Sequence, residues 1–245
     1  MPSMRWRDWR PALFGARQFR WCRYLSPILH RVRLAGGPGV RVETIGNATL
    51  YLGDCLSVMP TLSPNVVITD QPFGTGWFRG GGKRAGEFKR RKEGAEWDVF
   101  DLRWMDQVSC PLVAFCPTKG VWEMCLRLKT PCVVKYRKSN PAPFGVECEP
   151  IVCSQPPRSV WEKTGYNGAN ELHPCQKPEA IMDWLVGEFS DAGQTVLDPF
   201  MGSGSTGYSA VRMGRTFIGV EIDPSYFDIA CERIERAQRQ ERLFA

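Results

Sequence analysis

Val196-Leu197-Asp198-Pro199-Phe200-Met201-Gly202-Ser203-Gly204-Ser205-Thr206 runs from a short apolar strand into a glycine turn. A helical pattern follows over about 206–214, and then Phe217-Ile218-Gly219-Val220-Glu221-Ile222-Asp223, a second strand that ends in acids. Strand, glycine turn, helix and strand make one βαβ unit, which predicts an α/β fold. Glycines let backbone pass close to a bound nucleoside, and an acid after the second strand suits ribose hydroxyls. Gly202, Gly204 and Gly207 satisfy G-x-G-x-x-G, with Glu221 about where a dinucleotide's ribose acid would stand. A purely structural tight turn would satisfy it too. Asp198-Pro199-Phe200 ahead of the glycines argues against a dinucleotide, and so do the mere 22 residues after Asp223. An adenosine cofactor without pyrophosphate fits better.

Outward from this unit the chain keeps the same rhythm. Ala48–Leu52, Val66–Thr69, Leu112–Phe115 and Cys132–Lys135 read as strands, with Thr195–Leu197 and Thr216–Val220 flanking the glycine loop. Ile181, Trp184, Leu185 and Phe189 fall at helical spacing behind Pro178, and Tyr226–Arg239 reads as a closing helix. Of the 245 residues, 43% are hydrophobic and 24% charged, the balance of a globular chain and not of a disordered one. No run of 18 uncharged apolar residues exists, so no membrane span is predicted. The ten cysteines include no C-x-x-C pair and there are only two histidines, so no metal site is expected. These cysteines read as reduced, intracellular and mostly packed in the core.

The net charge of +6 is uneven. Residues 1–46 hold nine arginines against Asp8 and Glu43, a net +7, which leaves −1 for the other 199. Residues 1–41, ending in Gly36-Gly37-Pro38-Gly39, read as a basic, flexible extension; a targeting segment and a nucleic-acid-binding arm are the other readings. Residues 42–245 are expected to form the catalytic domain.

Asp70-Gln71-Pro72-Phe73-Gly74 ends the Val66–Thr69 strand. A carboxylate and a backbone carbonyl fixed side by side can accept both hydrogens of an exocyclic amino group, and an aromatic ring two residues on can stack on its base. Pro72 holds Gln71 extended, which stiffens the direction of that carbonyl. On its own, Asp-x-Pro at a strand end is a turn. Its partnership with the glycine loop 128 residues later gives it chemical meaning.

Together these elements resemble the DNA amino-methyltransferases that use S-adenosylmethionine, in the permuted class often termed beta. That family carries D-P-P-Y/F, then H-P-T/C-Q-K-P, then D-P-F-x-G-S-G-S/T-T. Here Asp70–Phe73, His173-Pro174-Cys175-Gln176-Lys177-Pro178 and Asp198–Thr206 occur in that order, and Gly53-Asp54-Cys55-Leu56 is similar to the family's G-D-C-L. The likeness runs over roughly 48–240. Gln71 departs from it by replacing a proline, which predicts a looser corner.

The resemblance implies a Rossmann-like methyltransferase fold, a seven-stranded mostly parallel sheet with helices on both faces. It implies a catalytic corner of Asp70, Gln71, Pro72 and Phe73, in which Asp70 and the Gln71 carbonyl grip the target amine and Phe73 stacks on a flipped base. Asp198, Pro199, Phe200, Gly202, Ser203, Gly204, Thr206 and Asp223 would bind the cofactor, with Glu221 at its ribose hydroxyls. Asp54 and Cys55 would contact its adenine, while Gln176 and Lys177 would lie near its amino-acid end. The implied activity is transfer of a methyl group to the 6-amino group of adenine in double-stranded DNA, within restriction-modification. Alternatives are the 4-amino group of cytosine, a non-catalytic binding relative, and an RNA or protein substrate. The implied setting is bacterial or phage-encoded and cytoplasmic, as monomer or homodimer.

Pro174-Cys175-Gln176 is similar to the nucleophile motif of 5-methylcytosine enzymes. The order is wrong for them, because the cofactor loop here follows Cys175 by 27 residues, and Asp70–Phe73 would have no task. Cys175 reads instead as a small packing residue. Phe78–Lys92 carries Arg79, Lys83, Arg84, Lys89, Arg90, Arg91 and Lys92 against Glu87, a net +6 around Gly80-Gly81-Gly82. Such a run is often only solvated surface; directly after the corner it is expected to track DNA phosphates. Residues 137–172 are expected to be a second DNA-contacting insertion.

Overall fold

Val66–Asp70 and Leu112–Phe115 are almost unbroken apolar runs, the signature of parallel strands covered on both faces. A computed structural model of the chain describes residues 31–35, 41–74, 98–137, 148–161 and 177–244. Its strands are β1 (Arg31–Ala35), β2 (Arg41–Ile45), β3 (Ala48–Leu52), β4 (Val66–Asp70), β5 (Leu112–Phe115), β6 (Cys132–Arg137), β7 (Cys148–Cys153), β8 (Thr195–Asp198) and β9 (Thr216–Glu221). Its helices are α1 (Cys55–Val58), α2 (Val121–Arg127), α3 (Glu179–Phe189), α4 (Ser205–Arg212) and α5 (Pro224–Phe244). No helix among the described residues is long and apolar enough to cross a membrane.

All nine strands form one sheet in the order β1-β2-β3-β9-β8-β4-β5-β7-β6. Pairing is parallel from β3 through β5 and antiparallel at β7 and β6. The seven strands from β3 to β6 match the number that the resemblance implies, six of them read from the sequence and β7 not; β1 and β2 add an antiparallel hairpin at the β3 edge. The expected boundary at 41/42 therefore falls beside a strand, and Arg31–Ala35 belongs to the sheet and not to a flexible extension. Composition misled because arginines are counted as solvent-facing, whereas a strand at a sheet edge needs only a neighbour's backbone. Gly46, at φ 58, opens the two-residue turn that pairs Ile45 with Ala48. Gln238 of α5 anchors that turn by donating to the Ile45 carbonyl at 3.3 Å and to Asn47 Oδ1.

The stretch 137–172 also departs from expectation. Cys148–Cys153 inside it is β7, paired on both sides, so the stretch is not one insertion. Pro150 lacks an N–H and argues against an interior strand, which is why sequence patterning passes over it. Here its carbonyl accepts from Cys116 N at 3.0 Å.

The alternation of side chains splits the core into two layers. Val66, Ile68, Val113 and Phe115 pack with α3, α4 and α5, while Val67, Leu112 and Ala114 face α1, α2 and the turn Arg103–Gln107. From β8 the chain winds outward through α4 to β9, and from β4 it winds the opposite way to β5. Strand order thus reverses between β8 and β4, and the carboxyl ends at that reversal, Asp198 and Asp70, flank the crevice where α/β folds bind ligands.

Candidate active site

At the end of β8 the Asp198 carboxylate is buried and satisfied by its own surroundings. Oδ1 accepts from Thr69 Oγ1 at 2.6 Å and from Phe200 N at 3.0 Å, and Oδ2 accepts from Thr206 Oγ1 at 2.6 Å. Burial pushes its pKa up to about 6, against the pull of those donors. Asp198 therefore shapes the loop and, through Thr69, ties β8 to β4. Pro199, Ser203 and Thr206 are buried behind it.

The loop glycines divide their labour. Gly202 adopts φ 51, and a Cβ there would meet nothing within 4 Å, so its outer face is open. Gly204, at φ 79, is pressed against α5, where a Cβ would lie 3.1 Å from Ala230 Cβ; Gly207 would strike Phe217 and Ile234. Close packing is therefore reason enough for glycine at 204 and 207. Arg233 of α5 braces the turn through Ser205 Oγ at 2.9 Å and Glu179 Oε1 at 3.1 Å.

Glu221, at the end of β9, accepts from Gly202 N at 2.9 Å and from Asp223 N at 2.8 Å. Burial pushes its pKa up to about 7. The Gly53 N–H donates to the Glu221 carbonyl at 2.9 Å, which brings the end of β3 and Asp54 alongside. Asp54 is exposed and caps α1 by accepting from Leu56 N at 3.0 Å. Cys55 is a packing residue: it is buried in the core, and burial, followed by the Asp54 charge, pushes its thiol up to about 12. Asp223 caps α5 by accepting from Ser225 N at 2.8 Å, a sufficient structural role for it.

The second half of the crevice is the corner at the end of β4. Asp70 Oδ2 lies 2.9 Å from Lys177 Nζ, which is also 2.9 Å from Glu149 Oε1 on β7. The same Nζ stands 4.7 Å from the Phe115 ring centroid and 5.3 Å from that of Phe73. Burial pushes Asp70 up to about 6; Lys177 opposes the rise, while Glu149 and Asp198 add to it. Burial also works against the Lys177 ammonium, but the two carboxylates outweigh it and hold its pKa above the ordinary lysine value.

Gln71 does not loosen the corner as expected. Its buried amide accepts from Trp104 Nε1 at 2.9 Å and directs Nε2 at the Met124 sulfur, 2.9 Å away. Trp104 in turn meets Phe200 edge-to-face at 5.5 Å, so corner and glycine loop share one aromatic contact. Beyond Pro72 and Phe73, Gly74 N donates to Asp98 Oδ1 at 3.0 Å and closes the base of the basic segment. That segment, with Arg79, Lys83, Arg84, Lys89, Arg90, Arg91 and Lys92, lies outside the described residues, as do His173, Cys175 and Gln176.

Thr69, Trp104, Glu149 and Arg233 are missed by sequence reasoning. Thr69 is one residue from the motif and could have been found as the hydroxyl beside it. Glu149, between a cysteine and a proline, carries no local signal.

The fold matches solved structures. M1.HpyAVI in complex with SAM superposes with a TM-score of 0.56 at 21% identity, over 76% of this chain and 99% of that one. The PvuII DNA methyltransferase (cytosine-N4-specific) gives 0.53 at 14% identity, over 80% and 92%. Among curated proteins, DNA adenine methyltransferase YhdJ of Escherichia coli (strain K12) is 37% identical over 105 residues, 43% of this chain and 34% of that one. Type II methyltransferase M2.DpnII of Streptococcus pneumoniae is 44% identical over 63 residues, 26% of this chain and 24% of that one. The chain thus matches about a third or less of the length of these curated relatives. Residues 117–232, which hold β7, Lys177, the glycine loop and Glu221, match the family model described as DNA methylase.

Proposed function

We propose that this chain is an S-adenosylmethionine-dependent DNA amino-methyltransferase acting on the 6-amino group of adenine. The observation that carries this reading is the construction across the strand reversal. An ionisable carboxyl group at the end of β4 and an open glycine turn after β8 are locked together by the 2.6 Å bond from Thr69 to Asp198. The name of YhdJ, a DNA adenine methyltransferase, supports adenine as the base.

The residues present fit the cofactor. The open face of Gly202 is a cradle that any side chain would begin to fill, and it lies beside the Glu221 carboxylate. A carboxylate offers about four lone-pair sites, so Glu221 retains capacity for a ribose hydroxyl beyond its backbone donors. By motif, Asp54, Phe200, Ser203 and Gln176 would join Glu221 in holding the cofactor. When bound, S-adenosylmethionine supplies an electrophilic methyl group.

The chain's own residues prepare the nucleophile. An exocyclic amine is weakly nucleophilic because its lone pair is delocalised into the ring. Lys177 holds Asp70 Oδ2, which leaves Oδ1 to accept one amino hydrogen while the Gln71 carbonyl accepts the other. Both contacts favour a pyramidal nitrogen with a localised lone pair, and Asp70 takes the proton that the nitrogen loses. Phe73 would stack on the flipped base. Positioning and local electrostatics supply the acceleration. The basic segment between Gly74 and Asp98 leaves and rejoins this corner, which supports a role for its lysines and arginines on DNA phosphates.

Incubation with the cofactor carrying a labelled methyl group and duplex plasmid DNA, followed by digestion to nucleosides, tests the proposal. Label in methylated adenine is expected. Label in methylated cytosine would move the target to the 4-amino group, and unlabelled DNA beside labelled RNA or protein would overturn the DNA assignment.

A further inference from the structure

Two buried carboxylates share one ammonium at the corner. Asp70 and Glu149 both lie 2.9 Å from Lys177 Nζ, and the Phe115 and Phe73 rings confine that nitrogen from their faces. The side chain of Glu149 is 5% exposed and that of Asp70 25%, so the outer carboxylate is the one a substrate can reach. We propose that Glu149 and Lys177 are a positioning pair for Asp70: Glu149 fixes the ammonium, and the ammonium fixes Asp70 Oδ2 and sets the charge of its carboxyl group. This rests on the methyltransferase reading for its purpose, but not for its electrostatics.

Among the described residues, the charged groups acting on Asp70 come from three elements. Lys177 precedes α3, Glu149 is on β7 and Asp198 ends β8. Lys177 favours the ionised form of Asp70, and the other two oppose it. Asp198 is held by hydroxyl and amide donors, so the adjustable part of the balance lies in Lys177 and Glu149. A carboxylate here must be ionised to accept amino hydrogens. Lys177 secures that, and Glu149 prevents the ammonium from closing over both Asp70 oxygens. This gives Lys177 a task at the corner, where the family likeness implies one near the cofactor's amino-acid end.

Carboxyl-carbon NMR titration of the full chain, without cofactor or DNA, reads the Asp70 midpoint; the resonance absent in Asp70→Asn assigns it. Lys177→Met should raise the midpoint by ~1–3 pH units, because an opposite charge at this range shifts a carboxyl by about that much. Glu149→Gln should lower it, and Glu149→Asp should restore it. The acid limb of the kcat–pH profile for methyl transfer should move in the same opposed directions, with the KM for cofactor unchanged. If Lys177→Met does not fold, the two Glu149 variants decide. A wild-type midpoint in Glu149→Gln would overturn the pair, as would a Lys177→Met protein whose only change is weaker cofactor binding. Wild-type protein that transfers no methyl group would remove the proposed function and leave the titration result standing.

Discussion

Asp198 and Asp70 end neighbouring parallel strands, and burial pushes both carboxyl groups up to about 6, yet they are held in opposite ways. Asp198 is enclosed by two hydroxyls and a backbone N–H, all neutral donors contributed by β4 and by its own loop. Asp70 is held through one oxygen by an ammonium and remains partly open. The first arrangement makes a fixed joint. The second makes a group whose charge can respond to a newcomer. A shifted pKa therefore does not identify the reactive carboxylate at this site; the nature of its partners does.

Asp70→Ala should separate the two carboxylates most strongly. Methyl transfer should fall ~10²–10³-fold, the usual cost of one well-aimed electrostatic contact, with cofactor affinity near wild type. Full activity in this variant would remove the corner from the chemistry.

Thr206→Val addresses the other carboxylate. It deprives Asp198 Oδ2 of its 2.6 Å donor, and a buried acceptor left unsatisfied costs ~1–3 kcal/mol. Urea denaturation should show that loss, and Thr206→Ser should recover most of it. A variant as stable as wild type would mean that Asp198 is not the joint described above.

The loop glycines allow a finer contrast. Gly202→Ala should weaken cofactor binding ~10-fold or more, equivalent to ~1.4 kcal/mol, with only the modest strain of a positive φ. Gly204→Ala should instead lower the melting temperature further, because its Cβ would lie 3.1 Å from Ala230 Cβ. Calorimetric titration and thermal melts of both proteins, read together, check this. Equal loss of affinity with equal stability would erase the distinction.

The smallest expected effect is one of pH. Glu221 is pushed up to about 7, and ribose hydroxyls would donate to its ionised form. The proton must leave before the ligand binds, so affinity should be full above the pKa and fall as pH drops through it. At one proton per site this is ~10-fold between pH 8 and pH 6. Equal dissociation constants at the two pH values would deny Glu221 that contact.

Much of this architecture was legible in the chain because it is local. The strand, glycine turn and helix around Asp198–Thr206, and the corner at Asp70–Phe73, are each one short run of chain and declare themselves by pattern. The contacts that give them meaning are not local. Thr69 reaches Asp198 across 129 positions, and Lys177 reaches Glu149 across 28. Glu149 carries no motif, and β7 around it is disguised by Pro150. Gln71 was visible as a departure from the family, but its anchoring by Trp104 depends on a turn that only the folded chain brings near. The hairpin of β1 and β2 was hidden by arginine content, which drew attention away from the alternation of Arg31-Val32-Arg33-Leu34.

The place of β8 and β9 in the sheet also dictates when this protein can fold. They lie between β3 and β4, which precede them by well over a hundred residues, and Ala48 pairs with Phe217. As the chain emerges during synthesis, β3 and β4 must therefore wait with their inner edges bare until residues 195–221 arrive. Exposed apolar strand edges invite pairing with other chains. Distant pairings of this kind also slow folding, because the loop entropy is lost before the contact forms. A nascent chain halted before Thr195 should be prone to aggregation, whereas one extended through α5 carries the wedge that closes its own sheet.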